Sequence, residues 1–296
     1  DEQNDCIRLA EILDICIRYR DSPALALVFD RLNGDIPRVT SHLLDPCVVG
    51  RPIFEQCAGS ILMSGTLFPP NMYSDILGIP EEKSTCKEYE SGFPPENRPI
   101  LIASDVTSKF TERDASYSSI RDHIQSVLEK TKGNVAVFAP SYAMLDRICE
   151  DVYTFGKVRE IERRRMSKKE VERTIARLYE MRAMGRESVL FGVLSGKLSE
   201  GIDYSENILS AVVCVGLPLP PPSARQDALL EYYTRRFGRS KAWKYASLQP
   251  AVNSVLQALG RPIRNSEDKA IVVLLEKRLL ERRIGDCMPK SMHTRQ

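Results

Sequence analysis

From about residue 98 onward, short apolar segments alternate with amphipathic ones. The runs 134–139 (NVAVFA), 188–194 (SVLFGVL) and 210–216 (SAVVCVG) lack polar alternation, which predicts strands that are buried on both faces. Between them, apolar residues recur at helical spacing. Strands are predicted at 99–103, 134–139, 188–194, 210–216 and 270–275, and helices at 116–130, 142–153, 168–184, 224–237 and 249–259. The pattern predicts an α/β fold over residues 98–285, with a parallel sheet and helices on both faces.

The first part of the chain is less regular. Helices are predicted at 5–20 and 51–59, and short strands at 24–29 and 60–63. Five prolines interrupt residues 68–97, which predicts a loop-rich segment. We place a domain boundary within it, so that residues 1–80 and 81–296 form separate parts.

Composition narrows the class of protein. Of the 296 residues, 43% are hydrophobic and 28% are charged, with a net charge of +2, which excludes a globally basic nucleic-acid-binding protein but allows a local basic face. No apolar run is long enough to predict a membrane span. The eight cysteines show no C-x-x-C spacing, which predicts no metal site in this chain and thiols in a reducing cytoplasm. The chain does not begin with Met, as expected of a fragment, and its polar start predicts no secretory signal.

The turn GVLSGKLSEGID at residues 192–203 contains a Gly-Lys pair after an apolar run. A phosphate-binding loop needs four residues between its glycines and a Ser or Thr after the lysine. Here three residues separate Gly192 from Gly196, and Leu198, which cannot bind Mg²⁺, follows Lys197. We therefore predict that this turn is not a phosphate loop. It follows a predicted parallel strand, at the edge of the sheet where functional residues collect.

The segment QALGRPIR at residues 257–264 carries two arginines close together. Gly260 allows close backbone approach, and Pro262 predicts that the helix ends near Gly260. Arg261 and Arg264 could then direct two guanidinium groups at one anion. The alternative is a solvated helix end, where arginines are favoured by the helix dipole.

The order SGTL (64–67), FPPENR (93–98), VFAPSY (137–142), GKLSEGID (196–203) and QALGRPIRNSED (257–268) resembles the carboxyl-terminal half of XPD-type helicases. These are the iron–sulfur DNA helicases of superfamily two, which include the DinG group. The resemblance covers nearly the whole chain. It implies that residues 81–296 form the second RecA-like motor domain, with motifs IV, V and VI. GKLSEGID corresponds to motif V and QALGRPIR to motif VI. Residues 1–80 would be the end of the arch insertion and the closing part of the first motor domain, with motif III.

The resemblance also implies roles for single residues. Arg261 and Arg264 would be arginine fingers that reach ATP, and Gln257 would tie motif VI to the nucleotide. Residues expected to bind the nucleotide or couple it to DNA are Gly260, Asp203, Glu200, Gly201, Ser64, Gly65 and Thr66. Residues expected to contact DNA are Ser141, Tyr142, Lys197, Ser199 and Tyr204. For both tyrosines the alternative is core packing with a bonded hydroxyl group. The basic run 159–165 (REIERRR) is more typical of a solvated face than of a DNA groove.

For the intact protein, the resemblance implies an ATP-dependent DNA helicase that moves 5′ to 3′ and acts in nucleotide excision repair. The family's phosphate loop, magnesium-binding motif and iron–sulfur cysteines belong to its upstream half. ATP and Mg²⁺ are therefore expected to bind mainly there, and this chain alone is expected to be inactive. Expected partners are single-stranded DNA, the protein's own amino-terminal motor domain and repair proteins, but no membrane. The expected location is the cytoplasm of a prokaryote, and the expected source is an archaeon.

Two alternatives remain open. One is an RNA-directed helicase of the same superfamily, which preference for a 2′-hydroxyl substrate would indicate. The other is a non-catalytic module that binds DNA or a repair partner. ATP turnover in the parent protein distinguishes a catalytic from a non-catalytic role.

Overall fold

The computed structural model describes residues 5–32 and 35–289, which form two compact units. The smaller unit comprises residues up to 87 together with residues 220–249. The larger unit comprises residues 88–219 and the chain from residue 250 onward. A single boundary within residues 68–97 does not describe this division, because residues 220–249 return to the first unit.

Secondary structure covers most of both units. The strands are β1 (Leu25–Leu32), β2 (Ile36–Leu43), β3 (Ile100–Ile102), β4 (Asn134–Ala139), β5 (Val158–Ile161), β6 (Ser188–Val193), β7 (Leu209–Val215) and β8 (Ile271–Leu275). The helices are α1 (Asp5–Arg18), α2 (Cys47–Gln56), α3 (Pro70–Leu77), α4 (Arg113–Lys130), α5 (Tyr142–Asp151), α6 (Lys168–Ala183), α7 (Ala224–Phe237), α8 (Arg239–Trp243), α9 (Gln249–Leu259) and α10 (Arg282–Gly285). A π-helical turn, Lys244–Leu248, follows α8.

The larger unit is built on a six-stranded sheet in the order β3-β8-β7-β4-β6-β5. All neighbouring strands in it are parallel. Every residue of β4 and β6 is buried, as their apolar sequences predict. The apolar face of α4, formed by Ile120, Ile124 and Leu128, is buried in the same core. The predicted α/β class with a parallel sheet is therefore confirmed.

The smaller unit contains an antiparallel hairpin of β1 and β2, in which Phe29 lies opposite Val39. Residues 220–249 belong to it because they bond to its earlier segments. The buried carboxylate of Asp45 accepts hydrogen bonds from the Tyr232 hydroxyl and the Arg236 guanidinium group. Met72 of α3 is buried in one apolar cluster with aromatic side chains of the returning segment. The aromatic members of that cluster include Tyr233, Phe237 and Tyr245.

Several local predictions were wrong or incomplete. Residues 60–63 form no strand, and Ile61 and Met63 are 90% and 88% exposed. The segment 68–97, expected to be loop-rich, contains α3, which begins at Pro70. β2 and β5 were not predicted. In the part of the chain that the structure describes, no helix is long and apolar enough to span a membrane.

Candidate functional site

Polar residues, among them the expected DNA-contacting residue Ser141, follow the carboxyl ends of neighbouring parallel strands. Ser141 follows β4, Glu162 follows β5, and Ser195 follows β6 closely. Strands β4, β6 and β5 are adjacent in the sheet, so these three positions lie along one edge. This is the edge at which open α/β sheets bind their ligands.

A buried carboxylate organises the turn after β6. Glu162 is only 2% exposed, and its carboxylate accepts hydrogen bonds from the backbone N–H groups of Val193 (3.1 Å) and Lys197 (2.7 Å). A Cβ atom at Gly196 would lie 2.5 Å from Glu162 Oε1, and one at Gly192 would lie 2.8 Å from Oε2. Glycine is needed at both positions because the carboxylate fills the space. Since a negative group already accepts the N–H of Lys197, the turn is unsuited to bind a phosphate there, which agrees with its departure from the phosphate-loop pattern.

Two residues expected to contact DNA are instead internal supports of the segment 194–204. The Ser199 side chain is buried, and its hydroxyl group accepts from Gly196 N–H (3.0 Å) and donates to Gly196 O (3.1 Å). Tyr204 is fully buried, and its hydroxyl group donates to Leu198 O at 2.7 Å. Burial raises the pKa of Tyr204 well above its ordinary value. A base cannot stack on a ring without exposed surface, so for Tyr204 the core-packing alternative holds.

Tyr142 and Lys197 lie beside this turn with polar groups near the surface. The Tyr142 hydroxyl group donates to Glu162 Oε1 at 3.3 Å, and the guanidinium group of Arg164 lies 4.7 Å from the ring centroid. Burial, followed by the negative charge of Glu162, raises the pKa of Tyr142. The Lys197 ammonium group donates to Met166 O. Ser141 is exposed, and its hydroxyl group accepts from Met144 N–H at the start of α5.

The two candidate arginine fingers are bonded to the segment 194–204. The helix α9 ends at Leu259, which confirms the predicted end near Gly260. Arg261 donates from Nε to Ser199 O (2.7 Å) and from Nη1 to Ile202 O (2.9 Å). Burial, followed by the positive charge of Arg264, lowers the pKa of Arg261. The guanidinium group is therefore half-buried against carbonyl groups of the segment 194–204.

Arg264 reaches the same carbonyl group. Its Nη2 donates to Ile202 O (3.1 Å), and its Nε lies 2.8 Å from Asp203 Oδ1. The buried Asp268 carboxylate fixes the backbone there by accepting from the N–H groups of Arg264 (2.7 Å) and Asn265 (3.0 Å). Both arginine side chains thus donate to the carbonyl group of Ile202, rather than extending into solvent from a helix end.

The remaining predicted residues have simpler surroundings. Gln257 is half-buried on α9, and Glu200 is half-buried with its N–H bonded to Gly196 O (3.1 Å). Gly201 is exposed and has a positive φ of 71°, a conformation that favours glycine. Ser64, Gly65 and Thr66 belong to the smaller unit, where the Ser64 hydroxyl group accepts from Thr66 N–H at 3.2 Å. Among the described residues, no group of three or more His, Cys, Asp or Glu could hold a metal ion.

Sequence reasoning missed two buried carboxylates at this edge of the sheet. Glu162 lies within the run interpreted as a solvated face. Glu276, which follows β8, is fully buried and accepts from the hydroxyl groups of Thr107 (2.7 Å) and Ser108 (2.8 Å) and from Arg278 Nη2 (2.7 Å). A single Glu immediately after a strand, which is apolar only for β8, is the only signal that either position offered.

Comparison with known proteins assigns the class. Residues 124–295, more than half of the chain, match the family described as the helicase C-terminal domain. The chain belongs to this family.

The relatives that the chain resembles are XPD- and CHL1-type helicases. It is 30% identical over 229 residues to the ATP-dependent DNA helicase XPD of Sulfolobus acidocaldarius, which covers 74% of this chain and 39% of that protein. It is 27% identical over 277 residues to the ATP-dependent DNA helicase CHL1 of Meyerozyma guilliermondii, covering 84% of this chain and 33% of that protein. The predicted resemblance to XPD-type helicases is confirmed. An archaeal origin is not, because these two relatives come from an archaeon and a yeast.

Solved structures show the same fold. An XPD helicase superposes with a TM-score of 0.67 at 24% identity, covering 92% of this chain and 47% of that chain. An apo XPD structure superposes with a TM-score of 0.68 at 24% identity, covering 96% of this chain and 57% of that chain. The RecA-like fold expected from the sequence is thereby confirmed.

Proposed function

We propose that this chain supplies the second motor domain of an ATP-dependent DNA helicase. The chain spans 33% and 39% of the two curated relatives described above, so the activity belongs to a longer protein. The observation that carries the proposal is the meeting of Arg261 and Arg264 on the carbonyl groups of Ser199 and Ile202. This contact joins the proposed nucleotide-facing arginines to the proposed DNA-facing segment.

The arginines exchange partners when ATP binds. ATP and Mg²⁺ are held mainly by the upstream part of the protein. Arg261 leaves neutral carbonyl oxygens for the γ-phosphate, to which charge-assisted hydrogen bonds are stronger, and Arg264 leaves the carbonyl oxygen of Ile202 and the exposed Asp203 carboxylate for the same anion. A guanidinium group at that position stabilises the charge of the transition state and contributes a factor of about 10³–10⁵ in rate. Gln257 and Gly260 lie on the same helix end and contribute to this nucleotide contact.

The same exchange couples ATP to DNA. When the arginines leave, the carbonyl groups of Ser199 and Ile202 lose their donors, and the segment 194–204 changes its conformation. ATP therefore favours one state of this segment and its hydrolysis favours the other, which is a ligand-driven shift between two states. The Asp203 side chain also changes its surroundings, because it loses its ion pair with Arg264. Glu200 and Gly201 lie within the moving segment, and Ser64, Gly65 and Thr66 complete the coupling from the first motor domain.

Single-stranded DNA is the proposed substrate, contacted through Ser141, Tyr142 and Lys197. The protein's own amino-terminal motor domain and DNA-repair proteins are the proposed partners, with 5′-to-3′ movement and an iron–sulfur cluster held by upstream residues. A reducing compartment such as the cytoplasm suits the free cysteines. Hydrolysis stimulated more by single-stranded RNA than by DNA would favour an RNA-directed helicase instead.

The test is ATP hydrolysis by the full-length protein with and without single-stranded DNA. We expect DNA to stimulate turnover in the wild type, and Arg261→Ala to reduce kcat by about 10³–10⁵. Arg186→Ala, an exposed arginine before β6, is the matched control and should behave as wild type. Thermal unfolding of both variants separates loss of catalysis from loss of folding. DNA-stimulated turnover that survives in a folded Arg261→Ala protein would contradict the proposal. This chain alone is expected to be inactive.

A further inference from the structure

Three consecutive arginines connect β5 to α6, and we call residues 163–165 the basic turn. Arg163, Arg164 and Arg165 are all exposed, whereas Glu162 before them and Met166 after them are buried. Among the described residues, no carboxylate forms an ion pair with these three guanidinium groups, although Arg177 of the following helix pairs with Glu160. Hydrogen bonds from Ser167 and, to a smaller extent, the positive charge of Arg163 lower the pKa of Glu170 on the following helix. The basic turn therefore presents positive charge that no ion pair within the described part of the molecule neutralises.

Both ends of the basic turn are fixed to the segment 194–204. At its start, the Glu162 carboxylate accepts the N–H groups of Val193 and Lys197. At its end, Met166 O accepts from the Lys197 ammonium group. One lysine thus bonds to the residue before the turn and to the residue after it. The three arginines are held beside Lys197 rather than on an independent loop.

An aromatic ring lies next to the same arginines. The guanidinium group of Arg164 is 4.7 Å from the centroid of Tyr142, whose hydroxyl group donates to Glu162. Grooves that bind single strands combine positive charge along the backbone with aromatic rings on which bases stack. Guanidinium groups also bind phosphates in a bidentate manner, which the ammonium group of lysine cannot do.

We propose that the basic turn binds the phosphate groups of a single-stranded nucleic acid, next to the strand ends of β4 and β6. The proposal rests on the proposed function and extends the proposed DNA-binding surface beyond Ser141, Tyr142 and Lys197. It replaces the interpretation of residues 159–165 as a solvated face. Only residues 163–165 carry the new role, because Arg159 donates to the carbonyl groups of Cys149 and Val152.

The test compares two triple variants of the full-length protein. Arg163→Gln/Arg164→Gln/Arg165→Gln removes three charges from the basic turn. Lys130→Gln/Lys132→Gln/Arg186→Gln removes three exposed charges before β4 and β6, at the opposite edge of the same sheet, and is the matched control. Both changes lower the net charge equally. Binding of a fluorescent oligo-dT is measured by anisotropy over a range of salt concentrations.

We expect the basic-turn variant to lose affinity for single-stranded DNA and, together with it, part of the salt dependence of binding. Each phosphate contact to a single strand contributes about 0.7 to the slope of log K against log salt, so three lost contacts reduce the slope by about 2. Relative to 1 M salt, where this electrostatic contribution vanishes, a slope change of about 2 corresponds at about 50 mM salt to a loss of roughly 2.5 orders of magnitude in affinity. The control should retain the wild-type slope. Arg163→Lys/Arg164→Lys/Arg165→Lys keeps the charges and should restore most of the slope.

The other possible results distinguish failure of this inference from failure of the proposed function. Equal slopes in the basic-turn variant and the control would overturn the inference and leave the proposed function intact, because the wild type would still bind and be stimulated by DNA. A wild-type protein that binds no single-stranded DNA would overturn both. Thermal unfolding midpoints should match among all variants, since every changed side chain is exposed. Loss of binding accompanied by a large fall in the midpoint of the Gln variant, with the Lys variant no better, would also count against the inference.

Discussion

Replacing Glu162 with alanine should destabilise the turn at residues 192–203. The change removes the acceptor of two backbone N–H groups, those of Val193 and Lys197. A buried donor left without a partner costs about 1–3 kcal/mol, so the two together cost about 2–6 kcal/mol. Folded domains are stable by only about 5–15 kcal/mol in total. The loss is therefore a large fraction of the stability of this region.

Hydrogen exchange of peptides covering residues 188–204 in the full-length protein measures this loss locally. The free energy of opening should fall by about 2–6 kcal/mol in Glu162→Ala. In Glu162→Gln the free energy of opening should fall about half as far. The amide retains one acceptor oxygen but places an NH₂ group against the second N–H donor.

The matched control is Glu160→Gln, two residues earlier on β5. Burial raises the pKa of Glu160, and its ion pair with Arg177 only partly offsets this. Stability from such a group is present at low pH and declines as the pH rises through its raised pKa, so at neutral pH the charge is unfavourable. Glu160→Gln should therefore leave stability unchanged or slightly raise it. Similar exchange in Glu162→Ala and the control would refute the assignment of Glu162 as the organiser of the turn.

Two further predictions follow from buried groups. Tyr204→Phe removes the hydroxyl donor to Leu198 O and should cost about 0.5–1.5 kcal/mol in denaturant unfolding, with unchanged affinity for oligo-dT; a marked loss of DNA affinity would contradict its place in the core. Burial alone would raise the pKa of Glu276, but hydrogen bonds from Arg278 and Ser108 lower it overall. Its stabilisation is present above the ordinary carboxyl pKa and is lost as the pH falls, so Glu276→Gln should be less stable at neutral pH and less sensitive to acid in pH-dependent thermal unfolding.

Apolar strands were the most predictable elements of the fold. β4 and β6 are apolar and buried throughout, so their sequences alone predict them. β5 (VREI) alternates charged and apolar residues at the edge of the sheet, and it pairs only with β6 among the described strands. Residues 60–63 have an apolar sequence but no strand beside them in the described part of the chain. Strand formation depends on a hydrogen-bonded neighbour, which a local sequence window does not contain.

The candidate site shows the same division between local and distant information. The end of α9 and the proximity of Arg261 to Arg264 follow from Gly260 and Pro262, which are close in sequence. Glu162 could not be recognised in this way, because its partner Lys197 lies on another strand end. For Tyr204, sequence reasoning left DNA contact and core packing both open for a related reason. The segment 194–204 folds back on itself, and this directs the ring into the core rather than toward solvent.

The order of segments in the two units constrains when each can fold. The smaller unit lacks the partners of Asp45 until residues 220–249 have been synthesised. The larger unit lacks β8, which lies between β3 and β7, until nearly the whole chain is present. Domains commonly fold as units, amino-terminal first, during synthesis. Neither unit can therefore be completed early. Until β8 emerges from the ribosome and pairs with both β3 and β7, the edges of these two strands lack a hydrogen-bonded partner and must avoid aggregation.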